Sequence, residues 1–321
     1  MEHLSAWIVD EARRMGFEAC GIAKATRLEE DSALVEQWIE GGHEGTMGYL
    51  TRNREKRYDP RLLAEGTKSI VTVLCNYFPK QRLGGNRFKI AKYAYGTDYH
   101  EVLKRKMREL LGHLEKHLGK MEGARVFVDS APVLDRAWAV RCGLGFIGKN
   151  TMLIHPKQNE ARQSPHRPTS GGSFFFIGHL FLPLELEETG QVISNRCGRC
   201  TKCLDACPTG ALEAPFHIDA RKCVSYLTIE HRDGLGGLDP KRFQGWMYGC
   251  DICQDACPYN RFALPHNEPA FQPSAALLSM REEDWKQLKP DDFERLFEHS
   301  AVQRAGYEGL KRNIDFIAGE S

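Results

Sequence analysis

The pattern of apolar and polar positions predicts several regular elements in the first 190 residues. Apolar residues recur at helical spacing in LSAWIVDEARRMGF near the N-terminus and in HEVLKRKMRELLGHLEKHL from His100. The apolar runs SIVTVLCNYF from Ser69 and SFFFIGHLFL from Ser173 predict buried strands, and the shorter ARVFVDS predicts another strand. We therefore expect residues 1–190 to form a mixed domain of the α+β or α/β class.

The residue pattern of the rest of the chain changes twice. Residues 191–262 are rich in cysteine, and residues 263–321 contain helical patterns such as REEDWKQLK, DDFERLFEH and GYEGLKRNIDFIAG. A second domain and a short helical C-terminal segment are expected from these two parts. The polar stretch from Gln158 to Gly172 contains Pro, Ser and Gly and predicts an irregular surface loop.

Composition narrows the class of protein. The chain has 321 residues, of which 41% are apolar and 27% charged, with a net charge of +1, as in ordinary soluble proteins. No apolar run approaches the roughly 18 to 20 residues of a membrane span, and the N-terminus lacks the features of a secretory signal. We expect a cytoplasmic protein without a membrane partner. No coiled-coil heptads indicate assembly, so a monomer is expected.

Eight of the eleven cysteines lie between Cys197 and Cys257. In CGRCTKCLDACP four of them have the spacing C-x2-C-x2-C-x3-C before Pro208, as in bacterial ferredoxins with two 4Fe-4S clusters. A structural zinc site would separate two C-x2-C pairs by a longer loop, so zinc is disfavoured. The three isolated cysteines, Cys20, Cys75 and Cys142, are expected to be buried packing residues.

A second cysteine motif repeats the first imperfectly. Cys250, Cys253 and Cys257 precede Pro258, and Cys223 lies 27 residues upstream of Cys250. In the bacterial pattern the fourth cysteine of each motif binds the other cluster. The predicted ligands of the first 4Fe-4S cluster are therefore Cys197, Cys200, Cys203 and Cys257, and those of the second are Cys207, Cys223, Cys250 and Cys253.

Such clusters supply electrons but no substrate chemistry, so a reactive site is expected before residue 190. GLGFIGKN resembles a dinucleotide or phosphate loop, but VLDRAWAVRC before it predicts a helix, and Asn150 replaces the expected Ser or Thr. A glycine-rich turn with Lys149 at its edge is favoured. Asp129 ends a predicted strand and has two equal interpretations: a proton donor whose pKa burial has raised, or a helix N-cap.

Charge is distributed unevenly along the chain. From Arg52 to Arg108 there are fifteen Lys or Arg residues and five Asp or Glu residues, with tyrosines interleaved. Basic and aromatic residues together suit nucleic acid, although a solvated helix face explains LKRKMRE equally well.

Several segments together closely resemble the epoxyqueuosine reductase family. They are AYGTDYH, DSAPVLDRAWAVRCGLGFIGKN, GSFFFIG, CGRCTKCLDACPTGAL, CVSYLTIE and YGCDICQDACPYNR, in this order as far as about residue 315. The resemblance implies a cobalamin-dependent oxidoreductase with two 4Fe-4S clusters. Such enzymes reduce epoxyqueuosine to queuosine in the wobble position of tRNA, the last step of queuosine biosynthesis. It also implies a nitroreductase-like, B12-processing-like cobalamin domain before the ferredoxin-type domain.

The resemblance assigns roles to individual residues. It makes Asp129 the proton donor, next to cobalamin, and so favours this interpretation over an N-cap. Arg57 and Leu153 match cobalamin-contacting positions, and Arg136 and Lys149 match positions near the tRNA nucleotide. The D-x-H-x-x-G motif of corrinoid methyltransferases is absent because Leu103 occupies its glycine position, so we expect no histidine ligand to cobalt from it.

The implied partners are tRNA carrying epoxyqueuosine and an external electron donor such as a flavodoxin or ferredoxin system. Many relatives continue past the position of Ser321 into helical repeats that grip tRNA, so lower tRNA affinity is expected. Two other functions stay open: a reductive dehalogenase-like corrinoid enzyme, which would ordinarily carry a twin-arginine signal, and a ferredoxin-type electron carrier.

Overall fold

The protein is described by a computed structural model that covers residues 2–84, 87–157 and 169–319. Most of the loop expected at 158–172 lies outside these ranges, since only 169–172 are described. None of the described helices is long and apolar enough to cross a membrane.

A four-stranded antiparallel sheet forms the centre of the N-terminal region. Its strands are β1 (Ala19–Lys24), β2 (Ser69–Asn76), β4 (Arg125–Phe127) and β7 (Phe175–Leu182), in the spatial order β1-β2-β7-β4. The two central strands come from the two apolar runs, and all eight residues of β2 are buried. The prediction of a mixed domain is confirmed, and the wholly antiparallel pairing makes its sheet of the α+β kind.

Helices cover both faces of this sheet, which explains why its central strands are apolar without alternation. Val71 and Val73 of β2 pack against α1 (Glu2–Arg14) and α5 (Tyr99–Leu118), the two predicted amphipathic helices. Ile70 and Leu74 point to the opposite face, where α6 (Asp135–Arg141) packs. Successive side chains of a strand point to opposite faces, so each face receives every second residue.

Shorter elements connect these layers. The remaining helices are α2 (Glu29–Glu40), α3 (Arg54–Tyr58), α4 (Pro60–Leu63), α7 (Lys202–Ala206), α8 (Val224–Ile229), α9 (Ile252–Asp255), α10 (Ala275–Ser279), α11 (Glu282–Lys286), α12 (Pro290–Phe297) and α13 (Gly306–Ala318). The remaining strands are β3 (Lys89–Ile90), β5 (Phe146–Ile147), β6 (Leu153–Ile154) and β8 (Trp246–Tyr248).

The cysteine-rich region and the C-terminal helices share a second core. Tyr248, Trp285 and Phe293 are almost wholly buried in it, together with apolar residues of α13. The segment from Phe88 to Tyr95 also joins this core, and its strand β3 pairs in parallel with β8. A piece of the N-terminal region is thus built into the cysteine-rich part and holds the two together.

Candidate functional site

The first group of cysteines surrounds one cavity. Cys197, Cys200, Cys203 and Cys257 line a cavity of about 300 Å³ together with Lys149, Asn150 and Tyr259. The thiols of Cys197 and Cys200 lie close enough to Cys257 to raise the pKa of its thiol, after the larger effect of burial. Three cysteines of the first motif and the last cysteine of the second motif therefore face one space.

The second group lies deeper in the cysteine-rich region. Burial raises the pKa of the Cys253 thiol, and the nearby thiols of Cys250, Cys223 and Cys207 raise it further. Burial and the same kind of repulsion from Cys207 raise the pKa of Cys223. Four thiolates gathered in this way would repel one another, so the arrangement suits a centre that supplies positive charge, as the irons of a 4Fe-4S cluster do.

Proline explains why each motif contributes to both groups. Pro208 and Pro258 follow the last cysteine of their motifs, and a residue before proline is driven out of the helical conformation. Cys207 has φ −69° and ψ 111°, and Cys257 has φ −73° and ψ 124°, both extended. Each therefore leaves its short helix, α7 or the turn after α9, and faces the other group.

Asp129 lies beside the start of α5. The hydroxyl of Tyr99 donates a short hydrogen bond to the Asp129 carboxylate, and Nε2 of His100 lies 3.6 Å from the same Oδ2 atom. Asp98 caps α5 by accepting a hydrogen bond from the His100 amide at 2.9 Å, and its carboxylate lies 2.7 Å from Nδ1 of His100. The imidazole is thus held between two carboxylates.

The N-cap interpretation of Asp129 is wrong. The following helix, α6, begins at Asp135, and Leu134 occupies its cap position. Asp129 instead has φ 48°, in the left-handed region that non-glycine residues seldom adopt, and its side chain is 59% exposed. This strained and accessible position is typical of a reactive loop.

The expected rise in the pKa of Asp129 is also wrong in this arrangement. The protein around the carboxyl raises its pKa by reducing hydration, but His100, 3.6 Å away, and the hydrogen bond from Tyr99 outweigh this and hold the pKa below its usual range. Burial lowers the pKa of His100, yet Asp129 and Asp98 together raise it to about 9. At neutral pH the proton therefore resides on His100 and not on Asp129.

Arg57 has an unsatisfied buried donor. Only 8% of the residue is exposed, and its Nη2 donates to the carbonyl of Tyr49 at 3.1 Å. Its Nε atom has no hydrogen-bond partner among the described residues. The charges of Arg57 and Asp129 both act on the phenol of Tyr49. A buried donor without a partner fits a ligand rich in amide and phosphate oxygens, such as cobalamin.

The glycine-rich segment forms a hairpin. β5 pairs with β6, and the Gly148 amide donates to the Met152 carbonyl across the turn. A β-carbon on Gly145 would lie 2.4 Å from the Ile154 carbonyl oxygen, so only glycine fits there. Residues 149–157, which are described directly after the glycines, contain a turn and β6 but no helix, so GLGFIGKN lacks the helix that a dinucleotide or phosphate loop would open.

Three residues predicted from the sequence lie in this hairpin or contact it. Leu153 is buried in β6, and the Arg136 guanidinium donates to the carbonyl of Thr151 in the turn at 2.6 Å. The ammonium of Lys149 donates to the carbonyl of Gly198 at 2.7 Å. Lys149 thus joins the hairpin to the loop that holds Cys197 and Cys200, a contact that the sequence did not predict.

A third cluster of possible metal ligands is already occupied by salt bridges. His43, Glu213 and His217 lie together, but Glu213 accepts a 2.5 Å bond from Lys222. Nη2 of Arg221 lies 3.5 Å from Nδ1 of His43. These positive groups oppose a cation, and the cluster serves to join the turn after α2 to the cysteine-rich region.

Sequence reasoning missed Tyr99 and His100 as partners of Asp129. Both residues belong to the AYGTDYH segment, in which the sequence shows Asp98 and His100 only as an incomplete corrinoid motif. The cap at Asp98 was the available signal, since it fixes the first turn of α5 and hence the direction of both rings.

Comparison with known proteins identifies the family. A family model described as "Epoxyqueuosine reductase QueG, DUF1730" matches residues 57–130, and one for a 4Fe-4S double cluster binding domain matches residues 196–260. The epoxyqueuosine reductase of Cellulophaga algicola is 44% identical over 98% of each chain.

Solved structures agree with this. A crystal structure of epoxyqueuosine reductase with an epoxyqueuosine-modified tRNA-Tyr stem loop superposes with a TM-score of 0.85 and 27% identity, over 99% of this chain and 81% of that one. A Bacillus subtilis epoxyqueuosine reductase with its catalytic aspartate loop swung out of the active site superposes with a TM-score of 0.84 and 27% identity, over 99% and 82%. The chain belongs to the epoxyqueuosine reductase family.

Proposed function

We propose that the chain reduces epoxyqueuosine in the wobble position of tRNA to queuosine, using cobalamin and electrons from two 4Fe-4S clusters. The observation that carries this proposal is the joint presence, in a member of this family, of two gathered groups of four cysteines and the strained, accessible Asp129. Replacing the epoxide by a double bond consumes two electrons and two protons and releases one water. The chain must therefore supply both an electron path and a proton source.

The electron path would consist of the two cysteine groups. Cys197, Cys200, Cys203 and Cys257 would bind one cluster, and Cys207, Cys223, Cys250 and Cys253 the other. Both groups lie in one small module packed against the N-terminal region through β3 and β8. Transfer of single electrons between neighbouring clusters would deliver the two electrons in turn.

Cobalamin would supply low-valent cobalt for reduction of the epoxide carbon. Arg57 fits its binding because its buried Nε lacks a partner among the described residues. Leu153 and Asp129 are proposed neighbours of the same cofactor. We also propose that residues 1–190 form the nitroreductase-like, B12-processing-like domain that holds it.

The proton would reach the leaving oxygen through Asp129. In the described arrangement His100 holds a proton while Asp129 is ionised, and the two groups lie within 3.6 Å. Asp129 would take the proton of His100 across this contact and donate a proton to the epoxide oxygen as the C–O bond breaks. A relative whose catalytic aspartate loop swings out of the active site supports a mobile carrier at this position.

Arg136 and Lys149 are proposed to lie near the bound tRNA nucleotide. We further propose that the protein acts as a monomer in the cytoplasm, where tRNA and reduced electron carriers are available. The electron path and the proton transfer through Asp129 do not depend on either proposal.

The test is anaerobic reconstitution with iron, sulfide and cobalamin, followed by turnover of an epoxyqueuosine-modified stem loop. We expect about eight irons and one cobalt per chain, an EPR signal of five-coordinate Co(II), and queuosine as product. Eight irons without bound cobalt would indicate that the protein is a ferredoxin-type electron carrier. Cobalt with reduction of halogenated substrates only would indicate a dehalogenase.

A further inference from the structure

Exposed cations accompany the first cysteine group in the chain and at its cavity. Arg196, Arg199, Lys202 and Arg261 are all exposed, and two of them line the cavity of the thiols. None of the four forms an ion pair within residues 2–84, 87–157 and 169–319. The acid nearest in sequence, Asp205, accepts a hydrogen bond from Thr201. The surface over this cavity is therefore strongly positive, although the whole chain carries only +1.

An exposed aromatic residue contacts Lys149, which lines the same cavity. Phe216 is 50% exposed and has φ 68°, a conformation that strains any residue with a side chain. Its amide donates to the carbonyl of Lys149 at 3.0 Å, and the Lys149 ammonium donates to Gly198 in the loop between Cys197 and Cys200. The backbone is thus strained where it presents an apolar ring to solvent, which indicates a function at the surface.

We propose that this surface, formed by Arg196, Arg199, Lys202, Arg261 and Phe216, docks an acidic one-electron carrier protein. A small apolar contact within a charged rim is typical of weak electron-transfer complexes, in which opposite charge speeds the encounter. Arg196 and Arg261 share the lining of one cavity with the thiols of the first group, so a carrier bound here would lie close to the cluster that accepts its electron. The inference rests on the proposed function and adds the site at which electrons enter.

The electron balance follows from the reaction. Each docking event would oxidise the carrier by one electron and reduce the first cluster by one electron, and two events would supply one epoxide. Nucleic acid is the competing occupant of a basic surface. Two of the cations, Arg196 and Arg261, line the cavity of the thiols themselves, which favours the carrier as the occupant of this surface.

The experiment uses holoenzyme and reduced flavodoxin, an acidic flavoprotein, in anaerobic stopped flow. We expect the variant R199E/K202E to slow reduction of the clusters tenfold or more at low salt and to lose most of the salt dependence. The control K116E/K120E changes charge equally at the end of α5 and should react like wild type. Photoreduction by uncharged 5-deazaflavin should be alike in all three proteins if the clusters are intact.

A second variant is needed because the substitutions in R199E/K202E lie between cluster ligands and can themselves cause loss of a cluster. R261E/F216A changes no residue within either cysteine motif. We expect it also to slow reduction of the clusters by flavodoxin tenfold, while its iron content stays complete. Equal flavodoxin rates in R261E/F216A and wild type would overturn the proposal, as would loss of stem-loop binding with an unchanged flavodoxin rate. Failure of wild-type enzyme to form queuosine with deazaflavin as reductant would instead refute the proposed function.

Discussion

Lys92 joins the N-terminal region to the second cysteine motif through a buried ion pair with Asp251. The Lys92 ammonium lies 3.2 Å from the Asp251 carboxylate and 2.7 Å from that of Asp255, and the Lys92 amide donates to Asp251 at 2.9 Å. Asp251 lies between Cys250 and Cys253 in the chain. The position of these cysteines therefore depends on a residue about 160 positions away.

Replacing Lys92 by methionine should destabilise the protein strongly. The change leaves two carboxylates unpaired, one of them buried, at a cost of about 3 to 5 kcal/mol. We expect the apparent Tm to fall by roughly 5 °C or more, measured by anaerobic calorimetry of the holoenzyme. Lys116→Met, at an exposed position, is the control. If K92M melts like the control, the pair contributes nothing.

The crossed grouping of cysteines predicts how single and double substitutions combine. Cys257→Ser should remove one cluster and leave about four irons per chain, and Cys207→Ser should remove the other. Adding Cys197→Ser to C257S should cost no further iron, because both belong to one group. Adding C207S to C257S should remove nearly all of the iron, because the two cysteines belong to different groups. Iron analysis with EPR decides, and the reverse pattern of losses would contradict the grouping.

Much of the fold could be predicted because its signals are local. The apolar runs became β2 and β7, and helical spacing located α1 and α5. The three isolated cysteines are buried as expected, with exposures of 7%, 2% and 1% for Cys20, Cys75 and Cys142. Burial on both faces of the sheet makes the central strands β2 and β7 apolar throughout, so they could be predicted without knowledge of distant contacts.

The candidate site was less predictable because it depends on distant contacts. The sequence marked Asp129 but not its partners Tyr99 and His100, which precede it by about thirty residues. The sign of the pKa shift depends on these partners, so the expected rise was wrong. The contact between Lys149 and Gly198 likewise joins segments 49 residues apart. The domain limits at 190 and 262 stay predictions.

Replacing Asp129 by asparagine should abolish turnover and leave the cofactors in place. Asparagine keeps the size of the side chain but cannot carry a proton, and loss of a general acid typically costs about 100-fold or more in rate. Asp10→Asn, at an exposed position of α1, is the matched control. We would measure queuosine formation with deazaflavin as reductant, alongside iron and cobalt content. Turnover within threefold of the control would exclude Asp129 as the proton donor.

The proton on His100 predicts a pH dependence with a definite sign. The His100 pKa is raised to about 9 in the folded protein, against about 6.5 in an unfolded chain. Its stabilising contribution is therefore complete below pH 6.5 and is lost as the pH rises through 9. The pKa of Asp129 is lowered, so its contribution is present above its unfolded value, about 3.9, and is lost in acid.

The reaction should follow the same titration if His100 supplies the proton. We expect the rate of queuosine formation to fall as the pH rises through about 9. His100→Gln, which keeps a hydrogen-bond donor but cannot ionise, should be slower at neutral pH and lack this decline. The measurement is a pH profile with deazaflavin as reductant, because a carrier protein would add its own pH dependence. A decline near pH 9 that persists in H100Q would assign the titration to another group and leave His100 a positioning residue for Asp129.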